Sequence, residues 1–247
     1  MTGNNVRAPS RFPIFVMMDK HALPDIGQVF DEIADGYTSL MEDMVPHYRE
    51  LITAMLSYLP QGFTPGRILD LGCGNGNVTA MCRVLYPEAT YHLVDASAEM
   101  IGRCKARFGS KGMTYEQQFF QAMELQPDTY DLMIAGFSFH HVPAGEKQQL
   151  FAALHPALTE QGVLTSADLF INKDDEPYHS EVIEQWRVFS FSNGRTQEDW
   201  DWVMEHYADY DRPSAFMDQK EWLEEAGFSK VTLSWNDGAW GCFHAIK

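Results

Sequence analysis

Between Asp25 and Leu59 the apolar residues fall at helical spacing. Ile26, Val29, Phe30 and Ile33 are followed by Leu40, Met41, Met44 and Val45, then by Leu51, Ile52, Met55 and Leu56. Recurrence at three and four residues predicts amphipathic helices with one apolar face. Pro46 has no amide hydrogen, so it should divide this run or open its second helix. The period then changes. Arg67, Ile68, Leu69, Asp70 and Leu71 form a short apolar run that ends in Gly72, Cys73, Gly74, Asn75 and Gly76, the pattern of a buried strand entering a tight turn. Helical spacing to about Tyr86, a second strand at 91–94 and a helix at 98–108 come next. A third strand is expected at 113–119, a fourth at 130–135, a helix at 145–158 and a fifth strand at 163–169.

Strict alternation of strand and helix predicts an α/β chain with a Rossmann-like, doubly wound, mostly parallel sheet. Residues 172–216 break the alternation with a run rich in acids and aromatics, including Trp186, Trp200 and Trp202. They are read as a mostly helical insertion after the fifth strand. A helix at 218–226, closed by Gly227, and strands at 231–235 and 242–246 bring the expected sheet to seven strands. The expected organisation is an arm and lid helices over 1–60, then one domain over 61–247 whose insertion helps to form a substrate pocket.

The chemistry concentrates in the glycine turn. Gly72, Gly74 and Gly76 leave one edge of it bare, so that backbone can approach a ligand where a side chain would block it. Asp95 ends the next strand 19 residues after Gly76, the spacing for a carboxylate that accepts both hydroxyls of a ribose. Two simpler roles are open to these acids: Asp70 as a helix cap and Asp95 as the start of a turn. A dinucleotide loop would carry another glycine at position 79, where this chain has Thr79, which disfavours a nicotinamide enzyme.

With Ile68–Gly76 followed by Asp95, the chain resembles the class I S-adenosylmethionine (SAM)-dependent methyltransferases, whose first motif has the form (V/I)LDLGCGxG. The resemblance implies SAM as cofactor, with Gly72, Cys73, Gly74, Asn75 and Gly76 facing its methionine part and Asp70 orienting its amino group. It implies that Asp95 holds the ribose and that Ala96 and Met100 lie beside the adenine. Many members have an acid after the third strand; this chain has Gln121 there, followed by Ala122, and the Gln121 amide oxygen can still accept from the adenine amino group. Gly136, Phe137, His140 and His141 follow the fourth strand, where a doubly wound sheet places its ligands. The segment is similar to the family's His-His-Val stretch, and each histidine is open to two roles, general base or packing. Gln161-Gly162 and Ala226-Gly227-Phe228 are similar to the family's fold markers.

A narrower likeness lies in Val45-Pro46-His47-Tyr48, which resembles the corresponding region of the carboxy-SAM synthases. That likeness implies that Tyr37 and Tyr48 lie over the SAM pocket as a lid. Those enzymes bind the added carboxylate with an arginine from the insertion; here Met204 stands near that place, although Arg187, Arg195 and Arg212 remain in the insertion. Two reactions are therefore carried forward, methyl transfer and carboxy-SAM synthesis, beside a non-catalytic SAM-binding module.

Composition narrows the partners. A net charge of −17 from 35 acids and 18 bases repels phosphate backbones, so the expected acceptor is a small molecule and not a nucleic acid. No run approaches a membrane span. The apolar stretch at 12–18 lacks the features of a signal peptide. The four cysteines, Cys73, Cys82, Cys104 and Cys242, lack zinc-site spacing, so free thiols in a cytoplasmic protein and no metal centre are expected. Aromatics interleaved with acids in the insertion suit either an amine acceptor or an ordinary core with a solvated face. A homodimer through the last strand remains open.

Overall fold

The computed structural model describes residues 25–247. The arm expected over 1–24, with its 12–18 apolar stretch, lies outside the described residues. Three helices come first: α1 (Ile26–Ile33), α2 (Tyr37–Met44) and α3 (Tyr48–Ser57). Pro46 separates the last two, as its missing donor predicts. A second break was not anticipated. Gly36, at φ 78°, turns the chain between α1 and α2, a left-handed conformation that glycine adopts without steric cost.

The sheet is built from β1 (Arg67–Leu71), β2 (Thr90–Asp95), β3 (Met113–Gln117), β4 (Tyr130–Gly136), β5 (Leu158–Leu169), β6 (Lys230–Asp237) and β7 (Trp240–Ile246). Its order is β3-β2-β1-β4-β5-β7-β6. The first five strands pair in parallel and β7 runs antiparallel between β5 and β6. The chain alternates through α4 (Asn77–Leu85), α5 (Ala98–Phe108) and α6 (Ala144–Ala157). Because strand side chains alternate between faces, Leu69, Leu71, Met133 and Ala135 pack with Leu150, Phe151 and Leu154 of α6. Ile68, Leu132 and Ile134 pack on the opposite face with Met55 of α3, Cys82 and Cys104. Both faces are covered, which is why these strands read as nearly continuous apolar runs.

β5 begins five residues earlier than its apolar pattern indicates, because Gln161 at φ 63° and Gly162 carry an irregularity in its pairing with β4. β3 is shorter than expected. After Gln117 the chain makes a 3-10 turn at Phe120–Ala122, which brings Phe120 and Gln121 to the carboxyl edge of the sheet.

The insertion forms α7 (Tyr178–Ser192) and α8 (Gln197–Asp209), before α9 (Phe216–Glu225). Thr196 and Asp199 form a reciprocal capping box at the start of α8, satisfying two amides that a helix start leaves open. Polar contacts fasten the insertion to α2: Trp186 Nε1 donates to the Met44 carbonyl at 2.5 Å, Asn193 donates to the Asp43 carbonyl at 3.2 Å, and Arg195 meets the Asp43 carboxylate at 2.7 Å. Trp186 stands edge-on to Trp200, Tyr207 and Trp240, so these insertion aromatics form a core. No helix among the described residues is long and apolar enough to cross a membrane.

Candidate active site

β1 pairs with β2 on one side and β4 on the other, so the connections beyond its carboxyl end depart to opposite faces and leave a crevice there. The glycine turn fills its floor. Gly72, at φ 72°, passes so close to Ser138 that a Cβ would meet the Ser138 Cβ at 2.6 Å; Gly76, at φ 82°, passes Phe108 with a Cβ at 2.4 Å from its ring. Glycine at both positions is therefore what lets the turn pack this closely; Gly72 and Gly74 border the cavity, whereas Gly76 faces Phe108 and Cys104. Across the turn, the Asp95 carboxylate accepts the Gly74 amide at 2.7 Å and the Ser97 amide at 2.9 Å. Burial raises its pKa, and those two amides oppose the shift without cancelling it.

α1 closes this end of the crevice. Gly27 lies against the Ala96 carbonyl, where a Cβ would come within 2.8 Å. Asp31 accepts from the Ser97 hydroxyl at 2.5 Å and the Glu99 amide at 2.9 Å. The result is a cavity of about 670 Å³ bordered by Gly72, Gly74, Asp95, Ala96, Phe120, Gln121 and Ser138, with Phe30, Tyr37, Phe137 and His141 at its other end. Bare backbone, a buried carboxylate and an apolar slot beside Gln121 fit an adenosyl amino acid.

Several residues singled out in the sequence lie behind this wall instead of on it. Asp70 is buried beneath the turn, accepts from the Thr79 hydroxyl at 2.5 Å, and is pushed up to about 7, first by burial and then by the charge of Asp95, against the Thr79 hydrogen bond. Cys73 is buried 3.9 Å from Cys104. Asn75 turns away to donate to Thr38. Met100 is fully enclosed in the core. Ala122 ends the 3-10 turn on the exposed side. Gly136 gives close passage past Val78. The Tyr48 hydroxyl accepts from Asn77 at 3.0 Å while its ring packs on Phe137. Tyr48 thus borders neither cavity, because its helix points it into the core. Tyr37 does lie over the turn, its ring 3.4 Å from where a Gly74 Cβ would stand.

A second cavity, about 700 Å³, continues from the first. It is walled by Phe30, Ile33, Leu40, Met41, Met44 and Val45 from the first two helices and the loop after them, by Leu169 and Trp240 from the sheet, and by Trp186, Trp202 and Val203 from the insertion. Phe30, Tyr37, Phe137 and His141 border both cavities. The polar end of this otherwise apolar chamber is formed by His140, His141, His206 and Asp211.

These four side chains are held from behind. Asp168, at the end of β5, accepts from His140 twice: from its amide at 3.1 Å and at Nδ1 at 2.5 Å. The Arg212 amide donates to the His140 carbonyl at 2.5 Å. Lys147, wholly enclosed, donates to the Arg212 carbonyl at 3.2 Å and the Ser214 hydroxyl at 2.9 Å. That strap sets the buried Asp211 opposite the histidines, with Oδ1 3.0 Å from His141 Nδ1, 3.4 Å from His206 Nε2 and 3.8 Å from His140 Nε2. Burial lowers His140, yet the carboxylates of Asp168 and Asp211 outweigh it and leave its pKa above the ordinary value. Burial and the neighbouring His140 push His141 down to about 4. Asp211 is raised by burial but driven well below the usual carboxylate range by the surrounding imidazoles.

His206 and Asp168 carry no motif mark in the sequence pattern, and Asp211 stands there only as one of the insertion acids interleaved with the aromatics. The only signal for His206 was its place one helical turn after Trp202, and no motif spacing ties 206–211 to 140–141.

Residues 68–162 match a protein family described as a methyltransferase domain. An uncharacterised methyltransferase of Bacillus cytotoxicus is 27% identical over 162 residues, covering 62% of this chain and 71% of its own. The carboxy-S-adenosyl-L-methionine synthase of Helicobacter hepaticus is 20% identical over 226 residues, covering 88% and 94%. Human N-acetylserotonin methyltransferase, solved in complex with SAM, shares the fold at a TM-score of 0.60 and 16% identity, over 90% of this chain and 57% of that one. Residues 68–162 are thus the methyltransferase domain of a class I SAM-dependent enzyme, whose cofactor is S-adenosyl-L-methionine.

Proposed function

We propose that this enzyme transfers a methyl group from SAM to a small, largely apolar acceptor seated in the aromatic cavity. The observation that carries this reading is the shared wall: Phe30, Tyr37, Phe137 and His141 border both cavities, so a donor on one side and an acceptor on the other meet there. SAM supplies a methyl group already activated by its sulfonium, and transfer is an in-line displacement in which the acceptor's lone pair replaces the carbon–sulfur bond. The chain's share of the work is alignment and exclusion of water. Gly72 and Gly74 admit the methionine part, Asp95 and Ala96 take the ribose, and Gln121 stands by the adenine. α1 and α2 serve as the lid and α7 and α8 as the acceptor wall. His140 and His141 are the polar groups that meet the acceptor's reacting atom, and Tyr48 acts only by supporting Phe137.

The test is calorimetric titration of the protein with SAM and S-adenosylhomocysteine, followed by a screen of apolar alcohols, phenols, thiols and amines for S-adenosylhomocysteine release. Binding of both nucleosides with acceptor-dependent release supports the reading. Nucleoside binding without release from any class in the screen counts against it.

The likeness to the Helicobacter synthase along nearly the whole chain favours carboxy-SAM synthesis as a second reading. Against it, no arginine or lysine borders the aromatic cavity among the described residues. Arg195 is engaged with Asp43, Arg187 with Glu184, and Arg212 with backbone carbonyls. Mass spectrometry of the nucleoside released from denatured protein separates the two readings, since carboxy-SAM is heavier than SAM by one carboxylate.

A further inference from the structure

We propose that His140, His141 and Asp211, with His206 beside them, form a binding site for a divalent first-row transition-metal ion at the polar end of the aromatic cavity. The ligating atoms of His140, His141 and Asp211 all lie within 4.8 Å of one another. Two atoms bound to one such ion at about 2.0–2.1 Å are separated by about 3 Å at a right angle and about 3.4 Å at a tetrahedral angle. Asp211 Oδ1 lies 3.0 Å from His141 Nδ1 and 3.4 Å from His206 Nε2, and His140 Nε2, at 3.8 Å, needs only a small approach.

The contacts within the cluster are close but poorly aligned as hydrogen bonds. His141 Nδ1 and Asp211 Oδ1 are buried, and neither has a hydrogen-bond partner of proper geometry. A buried carboxylate facing three ring nitrogens without an aligned donor is costly for a purely structural network. One cation among them would satisfy all four groups. The surroundings are those of a metal site. Asp168 holds His140 Nδ1 at 2.5 Å, which leaves Nε2 to face the cluster as a ligand; a carboxylate behind a ligating histidine fixes the ring and raises its basicity. Imidazole with a single carboxylate suits zinc, iron or cobalt better than magnesium or calcium. The ion's open positions face the aromatic cavity, where they would take a hydroxyl, thiol or amine donor atom of the acceptor. That role rests on the methyl-transfer reading above; binding of the ion does not.

The test uses the untagged protein, stripped with chelator and saturated with S-adenosylhomocysteine. Cobalt(II) is titrated by its visible d–d absorption, and zinc content is measured by mass spectrometry after dialysis. About one ion per chain is expected, with a spectrum typical of nitrogen and oxygen ligands. Asp211→Asn and His141→Ala should abolish the spectrum. Asp168→Asn, which leaves every ligand in place, should weaken binding by about 10–100-fold. S-adenosylhomocysteine affinity serves as the folding check in Asp211→Asn and Asp168→Asn, where it should stay within about threefold because neither residue borders that cavity; for His141→Ala, whose side chain does border it, the folding check is thermal denaturation. Absence of binding by cobalt(II), zinc, manganese(II) and iron(II) in the wild type overturns the proposal. Equal binding in Asp211→Asn and His141→Ala also overturns it. Metal binding without any affinity for S-adenosylhomocysteine would sustain the metal site and sink the methyl-transfer reading.

Discussion

The Gly74 amide donates to Asp95 Oδ2 across 2.7 Å, joining the end of β2 to the turn that leaves β1. The carboxylate expected to hold the ribose is thereby also a structural brace, since its other oxygen accepts the Ser97 amide. Asp95→Ala removes both acceptors at once. It should weaken SAM binding by at least about 100-fold and destabilise the fold by about 1–3 kcal/mol, the cost of leaving buried amides unpaired. Calorimetry and urea denaturation read the two effects separately. Loss of affinity without loss of stability would show that the brace contributes nothing.

The glycines of the turn should differ in their tolerance of a methyl group. Alanine at Gly76 or Gly72 meets both a left-handed backbone and an overlap, with Phe108 at 2.4 Å or Ser138 at 2.6 Å. Alanine at Gly74 meets the same backbone problem but only an ordinary contact with Tyr37 at 3.4 Å. Gly74→Ala should therefore cost about 1 kcal/mol, and Gly76→Ala should add about 1–3 kcal/mol of overpacking to that. Thermal and chemical denaturation of the three variants gives the order, and a Gly74→Ala protein less stable than Gly76→Ala would contradict it.

Asp70 should make the stability of the nucleoside-free protein depend on pH. Its folded pKa is pushed up to about 7 from the ordinary 3.8. Between those values the unfolded chain is ionised at this position while the folded chain keeps its proton, so stability falls as pH rises from about 4 to about 7. Outside that window the group contributes no slope. A shift of this size corresponds to on the order of 4 kcal/mol as an upper bound. Asp70→Asn keeps an acceptor for Thr79 and removes the titration. The difference in unfolding free energy between wild type and Asp70→Asn should therefore decline through that window, and a constant difference would refute the assignment.

Trp186 anchors the insertion. In Trp186→Phe the aromatic packing against Trp200, Tyr207 and Trp240 survives in part, but the Met44 carbonyl loses its donor. The expected cost is about 1–3 kcal/mol, with binding of S-adenosylhomocysteine unchanged. Faster local hydrogen exchange in α2 and α7, with no change around β1 and β2, would mark the effect as local.

Much of this protein was legible as pattern. The alternation of apolar runs and helical spacing marked the strands of the sheet, because a strand buried on both faces must be apolar throughout. The meeting of the glycine turn with Asp95 was legible because it is local: a bare turn and a carboxylate at the end of the neighbouring strand need no distant partner. Side-chain direction leaves a weaker mark in the pattern. Tyr48 was expected over the pocket, yet it faces Asn77 and Phe137. The break at Gly36 leaves no mark in the pattern because the apolar positions on either side of it keep a common period.

The sequence by itself determined the order of elements, the place of the nucleoside turn at the end of β1 and the residues that shape it, since each depends on contacts near in the chain or on strand-to-helix adjacency. Only the tertiary structure decided that His140 and His141 meet His206 and Asp211. That meeting depends on a buried lysine, a backbone hydrogen bond to the His140 carbonyl and an insertion folded back onto α2. Contacts between segments more than sixty residues apart leave no period in a sequence; they exist only once the sheet and its covering helices have brought the segments together.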